Sequence, residues 1–140
     1  MNNLRFATIV HILVLLYKYK SDYDCYGKVL SSDYIAGSIN VNPVVVRREI
    51  KILKDQGLLG VKKGKEGGFY LKEDPSKILF GNLYQLVNNE VSIGKLNKPN
   101  TECEIGKKMN TELLSIFHEV NEDIVLRLNR TSLKEFANQF

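Results

Sequence analysis

Apolar and polar positions alternate along this chain in blocks that predict mostly helices. Leu4 to about Tyr19 is hydrophobic nearly all round, which predicts a helix buried against several neighbours. Lys20–Lys28 (KSDYDCYGK) is polar and turn-like. Ser32 can then cap a short helix over Asp33–Ser38, with Ile35, Ala36 and Ile39 on its apolar side. Asn40-Val41-Asn42 breaks that helix. Pro43 suits the first position of the next one, where its missing N–H costs nothing.

The helix from Pro43 to Gln56 places Val46, Ile50 and Leu53 on one face at i, i+4 and i+7. Arg47, Arg48, Lys51 and Lys54 fall off that face, and Gly57 follows as a helix-ending glycine would. Leu58–Val61 and Phe69–Leu71 read as two short strands around a glycine-rich tip, Lys62–Gly68. Asp74-Pro75-Ser76 is a further break, Leu79–Val87 a short helix, and Ser92–Thr101 a loop. From about Met109 to Leu128, helical spacing is held by Leu113, Ile116, Phe117, Val120, Ile124 and Leu128. A helix that long in a small chain usually packs against a second copy, so Leu113, Phe117, Val120, Ile124 and Leu128 are the expected dimer stripe. Ser132 with Glu135 forms a capping-box pattern opening a terminal helix to Phe140.

Short helix, three-residue turn, basic helix led by proline, then a basic hairpin is the order of a winged helix-turn-helix. The expected fold is mostly α with a small β-hairpin wing. Residues 1–78 would form the DNA-binding part and 79–140 a helical dimerisation and sensor region. Charge sharpens this picture. The chain carries a net +4, and residues 43–65 hold seven basic side chains against Glu49 and Asp55, a local +5. The remainder sums to −1, so one segment carries the basicity. The polar face of an amphipathic helix is most often merely solvated; a like-charged hairpin directly after it shifts the balance toward a polyanion.

GVKKGKEGGFYL, residues 60–71, invites another reading, as a nucleotide-phosphate loop. Such a loop needs G-x4-G-K-[ST]. From Gly60 the second glycine comes one residue early, at Gly64, and Lys65 is followed by Glu66, which would repel phosphate. No Ser-His-Asp, paired-carboxylate or metal-triad spacing appears elsewhere, and no enzyme is expected. No targeting segment is visible, and the apolar run Ile9–Tyr17 is far short of the ~20 residues of a membrane span. A cytoplasmic setting with no membrane partner is expected.

Residues 35–71, IAGSINVNPVVVRREIKILKDQGLLGVKKGKEGGFYL, resemble the DNA-binding region of the Rrf2 family of bacterial transcription regulators. The likeness rests on Leu53-Lys-Asp-Gln-Gly57-Leu58 and on Gly64-Lys-Glu-Gly67-Gly68-Phe69-Tyr-Leu71. It continues through Ile78–Glu90, Cys103-Glu-Ile-Gly106, the long helix and the Thr131-Ser-Leu133 cap. The resemblance implies a homodimer held by the long helix, with two DNA-reading heads on a palindromic operator in double-stranded DNA; a repressor is expected because wing and recognition helix would occlude a promoter. Asn42, Val44, Val45 and Arg47 would face base edges, Arg48 and Lys51 phosphates, and Pro43 belongs with them to the DNA-binding set. Lys62, Lys63 and Lys65 of the wing would approach the backbone or minor groove. The family's iron–sulfur branch tends to carry an acidic residue where Arg47 stands, and an arginine there would read guanine instead.

Relatives with a cluster hold it on three cysteines in the loop before the long helix, plus one further ligand. This chain has Cys103 alone there, and Cys25 far away. A cluster wants about four ligands, so no iron–sulfur cofactor and no metal site are expected. Cys25 and Cys103 are the candidates for a thiol switch, against the reading that both are unreactive. Control by a small-molecule effector, and a winged-helix module that binds protein rather than DNA, are the remaining alternatives. His11 and His118 are expected to be packed or partly exposed structural residues rather than ligands, with His118 read as buried in the helical pattern.

Overall fold

The structure, a computed structural model of the chain, describes residues 4–19, 29–88 and 93–140. Helix α1 is Arg5–Lys18, and its Ile9, Ile12, Leu13 and Leu16 lie at the centre of the core. It is less uniformly buried than its sequence predicts. Ala7, His11 and Lys18 recur at helical spacing and remain exposed. Helix α2 is Ser32–Ile39, and its cap is Ser31 rather than Ser32: the Ser31 hydroxyl accepts the Tyr34 N–H at 3.1 Å.

Asn40 closes α2 in the left-handed region, at φ 61, which an asparagine tolerates. Asn42 then caps helix α3, Pro43–Asp55, its Oδ1 accepting the Val44 N–H at 2.9 Å, with Pro43 in the first turn. Gly57 stops α3 at φ 77, so that Leu58 N–H can donate to Leu53 O at 3.0 Å. Val46, Ile50 and Leu53 bury as their spacing predicts.

Strands β1, Leu59–Lys62, and β2, Gly68–Leu71, form an antiparallel hairpin in the register Leu59↔Leu71 to Lys62↔Gly68. A bridge between Leu30 and Phe69 ties the hairpin to the segment before α2, with hydrogen bonds of 3.0 and 2.8 Å. A single 3₁₀ turn, Pro75–Lys77, capped by Asp74, leads into α4, Phe80–Val87. Helix α5 is Glu104–Leu128, five residues longer at its start than its apolar spacing suggests, and α6 is Leu133–Ala137. The Ser132 hydroxyl accepts the Glu135 N–H at 3.1 Å, as the capping pattern predicts.

Leu133 of α6 returns to the same core as α1 and α4, and its N–H donates to Ile78 O at 2.8 Å. Helix α5 has no fully buried residue. It rests on α4 along one side, where Gly81 lies so close that a Cβ would run into the Val125 carbonyl oxygen. Tyr84 donates to Asn121 Oδ1 at 3.3 Å, and Asn82 N–H to Asn129 Oδ1 at 3.1 Å, along the same seam.

Candidate nucleic-acid interface

The segment that carries the charge in sequence also carries it on the surface. On α3, Asn42, Pro43, Val44, Arg47, Arg48 and Lys51 are exposed, and Val45 is half-buried. Val44, in the first turn of α3, is 65% exposed. Lys62, Lys63 and Lys65 are exposed around the wing tip, where Gly64 takes φ 110. The glycine-rich motif is a hairpin turn. Gly67 N–H donates to Gly64 O at 3.0 Å to close it.

Two contacts organise the arginines. Arg47 Nη1 lies 3.7 Å from Asp33 Oδ1 of α2, a solvent-exposed pair of little energetic weight. Arg48 donates through Nε and Nη2 to Oε1 of Glu49, at 3.3 and 3.2 Å. Glu49 itself is fully buried, and Arg5 of α1 engages both of its oxygens, Nε to Oε1 at 2.8 Å and Nη2 to Oε2 at 3.3 Å. Sequence reasoning counted Glu49 only as a negative charge. The signal was present: position 49 is i+3 from Val46, within the buried stripe.

Beside α2, the rings of Tyr34 and Tyr19 stand edge to face at 6.3 Å. A hydrogen bond with the Tyr19 side chain is the main cause holding the Tyr34 phenol above its ordinary range. Tyr23 and Tyr26 lie outside the described residues, as does Cys25. Cys103 is exposed and caps α5, its Sγ accepting the Gly106 N–H at 3.5 Å. His11 and His118 are both exposed, so His118 does not belong to a buried pattern.

On α5, Leu113, Phe117, Val120 and Ile124 are half-buried within the single chain, and half-buried Leu128 packs against the chain's own core. Other large apolar side chains of α5 stand in solvent, among them Ile105 at 71% and Ile116 at 54%. Among the described residues, no helix is long and apolar enough to cross a membrane.

A basic helix seated on a two-helix support and followed at once by a lysine-tipped hairpin defines a winged helix-turn-helix. The family model described as "Rrf2: Iron-dependent Transcriptional regulator" matches residues 3–139. The chain belongs to the Rrf2 family. It is 34% identical over 139 residues to the "Putative HTH-type transcriptional regulator YwnA" of Bacillus subtilis, covering 99% of this chain and 98% of YwnA. A crystal structure described as "a putative DNA binding protein" superposes with a TM-score of 0.72 at 35% identity, over 94% of this chain and 97% of that one. CymR of B. subtilis, "the Global Cysteine Regulator", shares the fold at a TM-score of 0.70 and 17% identity, with 100% and 98% covered.

The family's description names iron, and a cluster or metal would need thiolate, imidazole or carboxylate ligands. Among the described residues no three His, Cys, Asp or Glu side chains come together as ligands. The two cysteines of the sequence fall short of the roughly four thiolates that hold a cluster.

Proposed function

We propose that the chain acts as a homodimeric repressor that binds a palindromic operator, without an iron–sulfur cluster. The observation that carries this reading is that Arg47, Arg48 and Lys51 of α3 and Lys62, Lys63 and Lys65 of the wing that follows it are all exposed. In this reading Asn42, Val44, Val45 and Arg47 approach base edges in the major groove, with Pro43 beside them. Arg48, Lys51 and the wing lysines neutralise phosphates and displace counterions. Dimerisation through α5 is supported by its 25 residues without one buried side chain and by the exposed Ile105, Met109 and Ile116. Such a stretch of apolar surface is what a second copy covers. A repressor is the reading favoured here because two such heads over a promoter would occlude it.

Fluorescence anisotropy with a duplex from the chain's own upstream region, against a scrambled duplex at moderate salt, tests the reading. Tighter binding of the upstream duplex supports it; equal affinity overturns it.

A thiol switch at Cys25 and Cys103 is a narrower part of the proposal, supported by the exposure of Cys103 at the start of α5. Two thiols would lose two electrons and two protons to hydrogen peroxide, giving one disulfide between subunits and two waters. A crosslinked dimer on a non-reducing gel, lost in both Cys25→Ser and Cys103→Ser, supports the switch. No crosslink after mild peroxide rules it out.

A further inference from the structure

Position 49 completes the buried stripe of α3, beside Val46, Ile50 and Leu53, and an aliphatic side chain would fit that pattern. A fully buried carboxylate stands there instead. Burying a charge is costly, and well-packed apolar replacements of buried ion clusters are often neutral or stabilising. Stability alone therefore gives no reason for Glu49. Its contacts suggest another one.

Oε1 and Oε2 are fixed by the Arg5 fork, which belongs to the scaffold helix α1 and is mostly buried. Oε1 in turn takes Nε and Nη2 of Arg48, which is 57% exposed on the recognition helix. Nη1 of Arg48 takes no partner among the described residues. A long arginine side chain normally loses much rotamer freedom when it grips a phosphate; one already clamped has lost it in the free protein. The shared carboxylate also offsets part of the charge that would draw any DNA at all.

We propose that Glu49 is a positioning residue for operator recognition. Anchored by Arg5, it presents the Arg48 guanidinium in a fixed orientation to one backbone phosphate, so that Arg48 sets register more than it adds indiscriminate attraction. This rests on the DNA-binding reading above.

The test is a double-mutant cycle of Glu49→Gln and Arg48→Ala, read by anisotropy. The probes are a duplex selected by the wild-type chain from a randomised pool and its scrambled counterpart. Glu49→Gln keeps the volume and removes the charge. It should weaken the selected duplex about tenfold while the scrambled duplex binds as well as before or better. Arg48→Ala should then cost less than about twofold more in the Gln background, because its preorganisation is already lost. Equal losses on both duplexes, or losses that multiply independently, overturn the proposal. Where Glu49→Gln does not fold, Arg5→Lys keeps the charge without the fork and is read in the same cycle with the same two outcomes. A wild-type chain that prefers no duplex overturns the DNA-binding reading itself; a clear wild-type preference with an additive cycle overturns only the role of Glu49.

Discussion

Replacing Gly68 with alanine would push a methyl group into the seam between the wing and the segment before α2. A Cβ there would lie 2.6 Å from the carbonyl carbon and oxygen of Leu30 and 3.0 Å from its nitrogen. All three are backbone atoms of a residue that is itself buried, so none can swing aside. The strand must lift, and the two hydrogen bonds between Leu30 and Phe69 go with it. At about 1 kcal/mol net for each, plus residual strain, the loss is roughly 2–3 kcal/mol. For a chain of this size that lowers Tm by about 6 °C or more.

Gly64 supplies the control. It needs its positive φ but faces open space, so Gly64→Ala should cost only about 1 kcal/mol of local strain. Urea melts followed by circular dichroism at one fixed chain concentration, with amide exchange at Phe69, measure both variants. The reasoning fails if Gly68→Ala melts with wild type, or if Phe69 keeps its protection while stability falls.

Arg47→Ala should relax base preference, whereas Lys63→Ala should weaken all duplexes alike and reduce the salt slope by about 1, both read by anisotropy across a salt series. If α5 carries the proposed dimer, Ile116→Glu with Ile105→Glu should shift it to monomer in sedimentation equilibrium, leaving the helical circular dichroism intact since neither side chain is buried. Asp74 is held below its ordinary carboxylate range, chiefly by its hydrogen bond from the Ser76 hydroxyl and then by the Ser76 N–H. A depressed folded value means its contribution is present above the unfolded pKa and lost as pH falls through the folded one. Asp74→Ala should therefore lower stability at neutral pH and make no difference in strong acid, as acid and neutral urea melts will show.

Helix α3, the Gly57 stop and the hairpin were legible because each is set by local chemistry: a proline, a left-handed glycine, a glycine-rich tip. The start of α5 was hidden by Gly106, which reads as a loop residue. There Cys103 supplies an unusual sulfur cap, and the glycine lets the helix lie against Asn100, whose carbonyl oxygen would be 2.8 Å from a Cβ. Glu49 was missed for a different reason. Its partner Arg5 is 44 residues away, and only tertiary packing brings the two together. The exposure of His11 and His118 likewise depends on which strip of each helix the rest of the chain covers, and periodicity leaves that choice open.

Hydroxyl-radical footprinting on the selected duplex tests the central claim most directly. A dimer reading with α3 and the wing predicts two symmetry-related protected tracts, their centres about 10–10.5 base pairs apart or a multiple of that. Lys63→Ala should lose protection at the flank of each tract. A single unpaired tract, or uniform cleavage along the duplex, would contradict it.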